Sequence, residues 1–343
     1  MKKHANIPIF IPHLGCPNQC VFCNQRTISG KQSFDISSVR REIESALATI
    51  DSSIETEIAF FGGSFTGIDM SLMINLLEIA NEYLKAGRVH SIRCSTRPDY
   101  INDEILAVLK KYGIKTIELG LQSCSDKVLS LSKRGHSFKD EEEACRLIVR
   151  SGFNLVGQMM IGLPGSELED ELSTAKKIIS MGASGARIYP TVVFFDTELC
   201  NMALSGNYVP LSTDEAIKRS ARVLEVFIDA HTEVIRIGLC AQDNLFDKEK
   251  YYGGPNNPAL GELVMGELYY NKILEKATND IKKEEVRPSK MIVKVAPSEI
   301  SKVIGQKRCN IDRLKSSLSL KKISVVGSEN YSEFEFDILF ERL

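Results

Sequence analysis

Three cysteines stand within eight residues near the start of the chain: Cys16, Cys20 and Cys23. Thiolates are the natural ligands of an iron–sulfur cluster. Three of them at this spacing in one loop hold three irons of a cubane and leave the fourth iron open. An open iron can chelate a substrate through its amino and carboxylate groups, and the reduced cluster can pass it an electron. The competing chemistry is a structural zinc site. Zinc takes four ligands, usually from paired C-x2-C knuckles. The chain has no second pair, and His13 is the side chain that could supply a fourth ligand. The remaining six of the nine cysteines are scattered singly. That spacing suits neither a second cluster nor a disulfide-bonded secreted scaffold, and a reducing, cytoplasmic compartment fits best.

A loop of this kind must be carried by a scaffold. The 343 residues suggest one large domain, or one large and one small. No run approaches the roughly 18 apolar residues of a membrane helix, so no membrane is expected. The apolar stretch after Lys2 and Lys3 is short and broken by Pro8 and Pro12, so it reads as a first strand rather than a secretory leader. Strands are expected at Ile7–His13, Glu57–Phe61, Ser91–Ser95, Thr116–Leu121, Asn154–Ile161 and Ala186–Val193. Helices are expected at Asp35–Ile50, Met70–Lys85, Asp103–Lys111, Phe138–Arg150 and Glu167–Ser180. This alternation implies parallel βαβ units. It points to an α/β fold: a complete or partial (β/α) barrel of about six βα units. In such barrels chemistry sits at the C-terminal ends of the strands. The cysteine loop, Gly62-Gly63-Ser64, Ser95-Thr96-Arg97, Gln122-Ser123 and Tyr189 all fall there. Beyond residue 195 a helix near Thr213–Ala230, a strand Val234–Leu239 and a helix near Leu260–Lys276 are expected.

The C-x3-C-x2-C spacing, with Phe22 before the last cysteine, resembles the radical S-adenosylmethionine superfamily. Within it, Gly15-Cys16-Pro17-Asn18-Gln19-Cys20-Val21-Phe22-Cys23-Asn24, Phe61-Gly62-Gly63-Ser64-Phe65, Ser95-Thr96-Arg97-Pro98-Asp99, Glu118-Leu119-Gly120-Leu121-Gln122-Ser123 and Arg187-Ile188-Tyr189-Pro190-Thr191 resemble the Elongator catalytic-subunit family of tRNA-modifying enzymes. The likeness runs over roughly residues 5–265. It implies a [4Fe–4S] cluster on Cys16, Cys20 and Cys23, and S-adenosylmethionine cleaved to methionine and a 5′-deoxyadenosyl radical. It also implies a low-potential electron donor such as flavodoxin or ferredoxin. By the same resemblance Gly62 and Gly63 receive the cofactor's amino group, and Ser64 beside them is also expected to bind the cofactor. Ser95 and Arg97 stand where ribose and carboxylate are contacted. Gln122 makes a polar contact, and Gly162 and Tyr189 belong to the adenine-side wall. The Elongator subunit also carries an acetyltransferase domain, for which too few residues are expected after position 280, so carboxymethyl transfer from acetyl-CoA is not carried over. No residue stands out as the catalytic group for a second substrate.

Charge is unevenly distributed. Residues 281–326 hold twelve Lys or Arg against four Asp or Glu, a net +8 in a chain whose overall net charge is −2. Within this stretch the order is strand, helix, glycine loop, helix, strand. It resembles a KH domain, especially the KH repeats of the transcription factor NusA. Gly305-Gln306-Lys307-Arg308 stands where such a domain has the G-x-x-G loop that clamps a nucleotide backbone. Arg308 replaces the second glycine and adds charge. The expected organisation is therefore a radical SAM barrel core at 1–195, its extension at 196–280 and a KH-like module at 290–343. The expected function is radical modification of an RNA, tRNA or ribosomal. Two alternatives stay open. One is a radical enzyme acting on a small molecule or protein, its last module used for dimerisation. The other is a non-enzymatic RNA-binding protein with a sensing cluster. The oligomeric state is not legible.

Overall fold

The computed structural model describes residues 4–11, 14, 16, 20–24, 34–239, 245–283 and 288–341. His13 and residues 17–19 of the cysteine loop lie outside them, as do Gly15, Cys240 and Arg287. The chain divides into two units, Met1–Ser212 with Val226–Asn256, and Thr213–Glu225 with Asn257–Leu343.

In the first unit the chain runs β1 His4–Phe10, α1 Val39–Leu47, β2 Glu55–Phe61, α2 Met70–Lys85, β3 Ser91–Thr96, α3 Asp103–Lys111 and β4 Ile114–Gln122. It continues α4 Asp126–Leu131, α5 Phe138–Arg150, β5 Asn154–Ile161, α6 Leu168–Ser180, β6 Gly185–Pro190, β7 Val193–Phe194 and α7 Glu198–Leu204. β8 Glu233–Ile237 and β9 Tyr251–Gly253 complete this unit, while helix α8, Thr213–Asp229, belongs through Glu225 to the second unit. Seven strands form one sheet in the order β1-β2-β3-β4-β5-β6-β8, and every neighbouring pair is parallel. This is the partial barrel expected, extended by β8 along the edge of β6. The helices start where the sequence supplies caps: Asp69 accepts from the Ser71 and Leu72 amides, and Ser137 and Asp140 form a reciprocal capping box. Helices α4 and α7 and the short β7–β9 pair are additions that the sequence pattern does not reveal. Each is too brief to show a period.

The second unit holds α9 Leu260–Ile281, β10 Lys290–Val295, α10 Ile300–Ile304, α11 Cys309–Leu318, β11 Lys322–Gly327 and β12 Phe336–Glu341. The sheet order is β11-β10-β12, with β10 parallel to β11 and antiparallel to β12. Its core is apolar: Met291, Val293 and Val295 of β10 meet Tyr269, Ile273 and Ala277 of α9. Because α9 buries that face on this sheet, the unit begins well before the boundary near residue 280 that composition suggests. Among the described residues no helix is long and apolar enough to cross a membrane.

Candidate functional site

The cysteine loop leaves the C-terminal end of β1. Its second half is anchored through Val21, whose amide donates to Ser132 O at 3.2 Å and whose carbonyl accepts from Leu199 N at 2.8 Å. The Val21 side chain packs on Val193, Leu199 and Cys200. The Cys23 amide turns back onto Cys20 O at 3.0 Å. Cys20 is buried, while Cys16 and Cys23 are half-buried. Among the described residues no group of three His, Cys, Asp or Glu side chains is placed to hold a single metal ion.

The glycine turn after β2 supports this loop from below. Gly62 and Gly63 have φ of +81° and +52°. A Cβ on Gly63 would stand 2.4 Å from Leu14 O and 3.0 Å from Ile11 O, and the next amide, Ser64 N, donates to Leu14 O at 3.2 Å. The glycines are thus required by the backbone of the cysteine loop itself, which passes directly over them.

A cavity of about 230 Å³ opens at this end of the sheet. Cys23, Gly62, Gly63, Ser95, Gln122 and Tyr189 line it, together with apolar Phe22, Phe61, Met160 and Val192. Gln122 sits at a register shift between β4 and β5 with φ +72°, and its Oε1 is buried with no hydrogen-bond partner. The other residues expected here lie elsewhere. Ser64 is fully buried behind the turn, its Oγ 3.0 Å from Thr96 Oγ1. The Gly162 amide donates to Glu171 and its carbonyl accepts from the Tyr208 hydroxyl, both at 2.7 Å, and its open Cα face abuts Leu211. Arg97 points behind Cys20 rather than into the cavity.

Around Cys20 the side chains are charged and buried. Arg134 Nη1 lies 3.2 Å from Cys20 Sγ and Arg97 Nη1 lies 3.7 Å from it. Arg97 forks onto Asp99 at 2.9 and 3.0 Å and donates to Arg134 O. By contrast, burial pushes up the thiols of Cys94, Cys124 and Cys145, the last to about 12, so these three stay protonated.

The floor of the cavity is a chain of ion pairs along one face of the sheet. Arg93 bridges Glu57 and Glu118, with its Nη1 2.9 Å from Glu118. Arg187 pairs with Glu118 through two bonds of 2.8 and 2.9 Å, and Gln158 donates to Glu118 at 2.8 Å. Burial raises the Glu118 carboxyl, but the charge and hydrogen bonds of Arg187 and Arg93 outweigh it and hold the group below the usual carboxylate range. Glu118, Gln158 and Arg187 all face the cavity. Glu118 and Arg187 open two of the motifs but are not singled out there as site residues, and Gln158 and Arg134 lie in none of them. The signal for the ladder was one charged or amide residue in the middle of each of five strands: Glu57, Arg93, Glu118, Gln158 and Arg187.

These features fit an iron–sulfur cluster with a chelated cofactor. The donor set is three cysteines, one of them facing two guanidinium groups. The glycine turn lets the backbone of the cysteine loop pass directly against it, and the buried Gln122 Oε1 lacks a hydrogen-bond donor.

In the second unit, Gly305 ends α10 with φ +74°, and Lys307 and Arg308 both adopt left-handed backbone, φ +51° and +65°. A Cβ on Gly305 would stand 2.8 Å from Cys309 Sγ. Gln306, Lys307 and Arg308 are exposed. Beside them runs a groove of about 770 Å³ lined by Lys302, Gly305, Gln306, Asn310 and Arg313 among others. Part of the local positive charge is already neutralised: Arg313 forks onto Glu267 and Lys302 pairs with Glu299.

Comparison with known proteins agrees with this geometry. The family model for the radical SAM superfamily matches residues 10–178, and that for the radical SAM C-terminal domain matches residues 183–270. A tRNA uridine(34) acetyltransferase of Methanocaldococcus infernus is 36% identical over 126 residues, 36% of this chain and 24% of that protein. Elongator complex protein 3 of Homo sapiens is 29% identical over 215 residues, 62% of this chain and 38% of its own. An uncharacterised protein of Methanocaldococcus jannaschii is 29% identical over 236 residues, 65% of this chain and 72% of that one. The first two alignments therefore span well under half of those relatives. In fold, the chain is similar to the archaeal M. infernus Elp3 with its N-terminus deleted, at a TM-score of 0.62 and 22% identity over 81% of this chain and 64% of that one. It is also similar to HydG, a maturase of the [FeFe]-hydrogenase, at a TM-score of 0.53 and 16% identity over 77% of this chain and 55% of that one. With two family models matched in succession, over a cysteine loop and glycine turn built in this way, the chain belongs to the radical S-adenosylmethionine superfamily, whose members bind a [4Fe–4S] cluster and S-adenosylmethionine.

Proposed function

We propose that this protein is a radical enzyme that modifies RNA, with tRNA the favoured substrate. Cys16, Cys20 and Cys23 would hold the cluster. The observation that carries the proposal is that Cys23, Gly62, Gly63, Ser95, Gln122 and Tyr189 line one cavity with a polar floor. Bound there, a [4Fe–4S] cluster and S-adenosylmethionine supply reductive cleavage of a carbon–sulfur bond and hence a 5′-deoxyadenosyl radical. The chain's own part is placement. Gln122 Oε1 accepts a hydrogen bond from the cofactor, Tyr189 and the phenylalanines exclude water, and Ser95, Gln158 and Glu118 present hydrogen-bonding groups beneath the reacting end. A one-electron donor of the flavodoxin or ferredoxin class supplies the electron.

RNA as the substrate is supported by relatives whose names state an action on tRNA uridine. It is also supported by an exposed, basic, KH-like turn at Gly305-Gln306-Lys307-Arg308. Anaerobically purified protein is expected to carry about four irons, and Cys20→Ala to lose most of them. Wild-type protein that takes up zinc in place of iron would sink the cluster assignment. The substrate is tested by mass spectrometry of nucleosides from cells with and without the gene. A modified nucleoside that disappears with the gene, and returns with the wild-type chain but not with Cys20→Ala, is the expected result. Identical nucleoside profiles would turn the proposal toward a small-molecule or protein substrate.

A further inference from the structure

Two arginines converge on one cysteine from separate elements. Arg97 follows β3 and Arg134 lies in the turn between α4 and α5, yet both place Nη1 against Cys20 Sγ, at 3.7 and 3.2 Å. They are 3% and 5% exposed. Both are locked from behind. Arg134 donates to Gly120 O on β4, while Arg97 is forked onto Asp99 and donates to Arg134 O. Neither side chain can swing away without breaking buried hydrogen bonds.

A guanidinium is costly to bury unless it meets negative charge. Arg97 already meets such charge in Asp99, and a cluster on Cys20 would add negative charge facing both guanidinium groups. A cubane of charge 2+ on three thiolates carries one net negative charge, and two once it takes up an electron, so the two guanidinium groups stabilise the reduced state more than the oxidised one. Hydrogen bonds to the sulfurs and the local charge are the levers by which a protein sets such a potential. We propose that Arg134, with Arg97 beside it, is a positioning residue for the cluster, hydrogen-bonding the Cys20 thiolate and raising the cluster's reduction potential toward that of its electron donor. This rests on the assignment of the cluster to Cys16, Cys20 and Cys23. The step concerned is the entry of one electron from a low-potential one-electron donor, with no bond made or broken and no proton moved.

The test is a redox titration of the full chain, reconstituted anaerobically and followed by electron paramagnetic resonance, with dithionite as the reductant. At the potential where wild-type protein is half reduced, Arg134→Gln is expected to show a reduced-to-oxidised ratio about tenfold lower, a downward shift of ~59 mV for a one-electron couple. Arg134→Lys keeps the charge and is expected to recover most of the shift. Arg97→Gln is expected to lower the ratio less, in keeping with its longer contact. Arg134→Gln protein that holds its iron at the wild-type midpoint overturns the proposal. If Arg134→Gln loses its iron, Arg134→Lys decides. Iron and midpoint restored by lysine support a charge acting at the cluster, and iron lost in both variants overturns it in favour of simple packing. Wild-type protein without iron overturns the cluster assignment, and the inference with it. Wild-type protein with iron and unmoved variant potentials overturns the inference alone.

Discussion

The two units of this chain use charge in opposite ways. In the second unit the inward residues of β10 are Met291, Val293 and Val295, all fully buried, and the residues of the basic turn stand in solvent. In the first unit the strands carry Glu57, Arg93, Glu118, Gln158 and Arg187 along one face of the sheet, and the four charged ones are at most 8% exposed. An apolar strand face is the cheaper way to fill a barrel, since buried ion pairs rarely stabilise more than the hydrophobic residues that could replace them. A ladder of them therefore marks a face kept polar for the ligands of the cavity above it. In the second unit the basic turn lies at the surface, where charge acts at a distance and is screened by salt.

The sharpest way to break this contrast is to remove one rung. Glu118 compensates Arg93 and Arg187 together. Glu118→Ala should lower the stability of the chain by about 3–5 kcal/mol, the usual cost of stranding a buried charge. Lys321→Ala, at an exposed position of the second unit, should change it by no more than about 0.5 kcal/mol. Urea denaturation followed by circular dichroism compares them. Equal stabilities would mean that the ladder is solvated and not the buried network described.

The next effect is local to the site. Gly63→Ala places a methyl against Leu14 O, two residues before Cys16, at a backbone angle that alanine adopts only with strain. Iron content should fall along with release of 5′-deoxyadenosine, the latter by about tenfold or more, as expected when roughly 1.4 kcal/mol of positioning is lost. Gly87→Ala also has positive φ but nothing near its Cβ. It should cost stability without touching either readout. Full cofactor cleavage by Gly63→Ala would separate the glycine turn from the site.

Much of this site was legible before any coordinates. Cys23, Gly62, Gly63, Ser95, Gln122 and Tyr189 sit at strand ends, where a parallel barrel gathers its chemistry, and they do line one cavity. Reading outward from a strand end fails where direction matters. Ser64 and Arg97 follow the ends of β2 and β3, but the chain turns there, and their side chains are buried against Thr96 and Cys20. Arg134 was not legible at all. It lies 114 residues from Cys20, and only the folded turn between α4 and α5 brings it there. The alternation of strands and helices in the first unit was readable because short apolar runs alternate with capped helices. β12 was not, because its six residues, Phe336-Asp337-Ile338-Leu339-Phe340-Glu341, keep no regular alternation and lie in an acidic stretch whose charge draws attention first.

A smaller effect is expected at the exposed turn. Lys307 and Arg308 lie in solvent between Gly305 and α11. Lys307→Glu/Arg308→Glu should weaken RNA binding and flatten its log–log salt dependence by roughly 1.4, two contacts at about 0.7 each for a single strand. Cofactor cleavage without RNA should be unchanged. Affinity across a salt series, with light scattering on the same samples, distinguishes this from a dimer cap. An unchanged slope with an altered oligomeric state would assign the second unit to assembly.

The smallest expected effect concerns one carboxyl that has no rung opposite it. Glu141 is fully buried on α5, its Oε1 3.0 Å from His136 Nε2 and its Oε2 without a partner. Burial raises the Glu141 carboxyl well above its ordinary value, against smaller lowering effects from Cys124 and Arg134. The folded chain therefore keeps a proton that the unfolded chain releases above about pH 4.3. The sign follows from linkage: where the folded state binds more protons, stability falls as pH rises. This loss begins near the unfolded value and continues until the raised folded value is passed. Glutamine has the shape of the protonated acid and cannot titrate. Glu141→Gln should therefore match wild-type stability near pH 4 and gain on it steadily toward pH 8. His136, which burial and the charges of Arg134 and Arg97 lower to about 4, adds the opposite slope between about pH 4 and 6.5. Because it contacts Glu141 at 3.0 Å, the comparison is read between about pH 7 and 8, where His136 is neutral in the folded and the unfolded chain. Thermal melts of the two chains at matched pH give that difference directly. A flat difference across this range would mean that Glu141 is ionised in the folded chain, compensated by charge from the arginines that face Cys20.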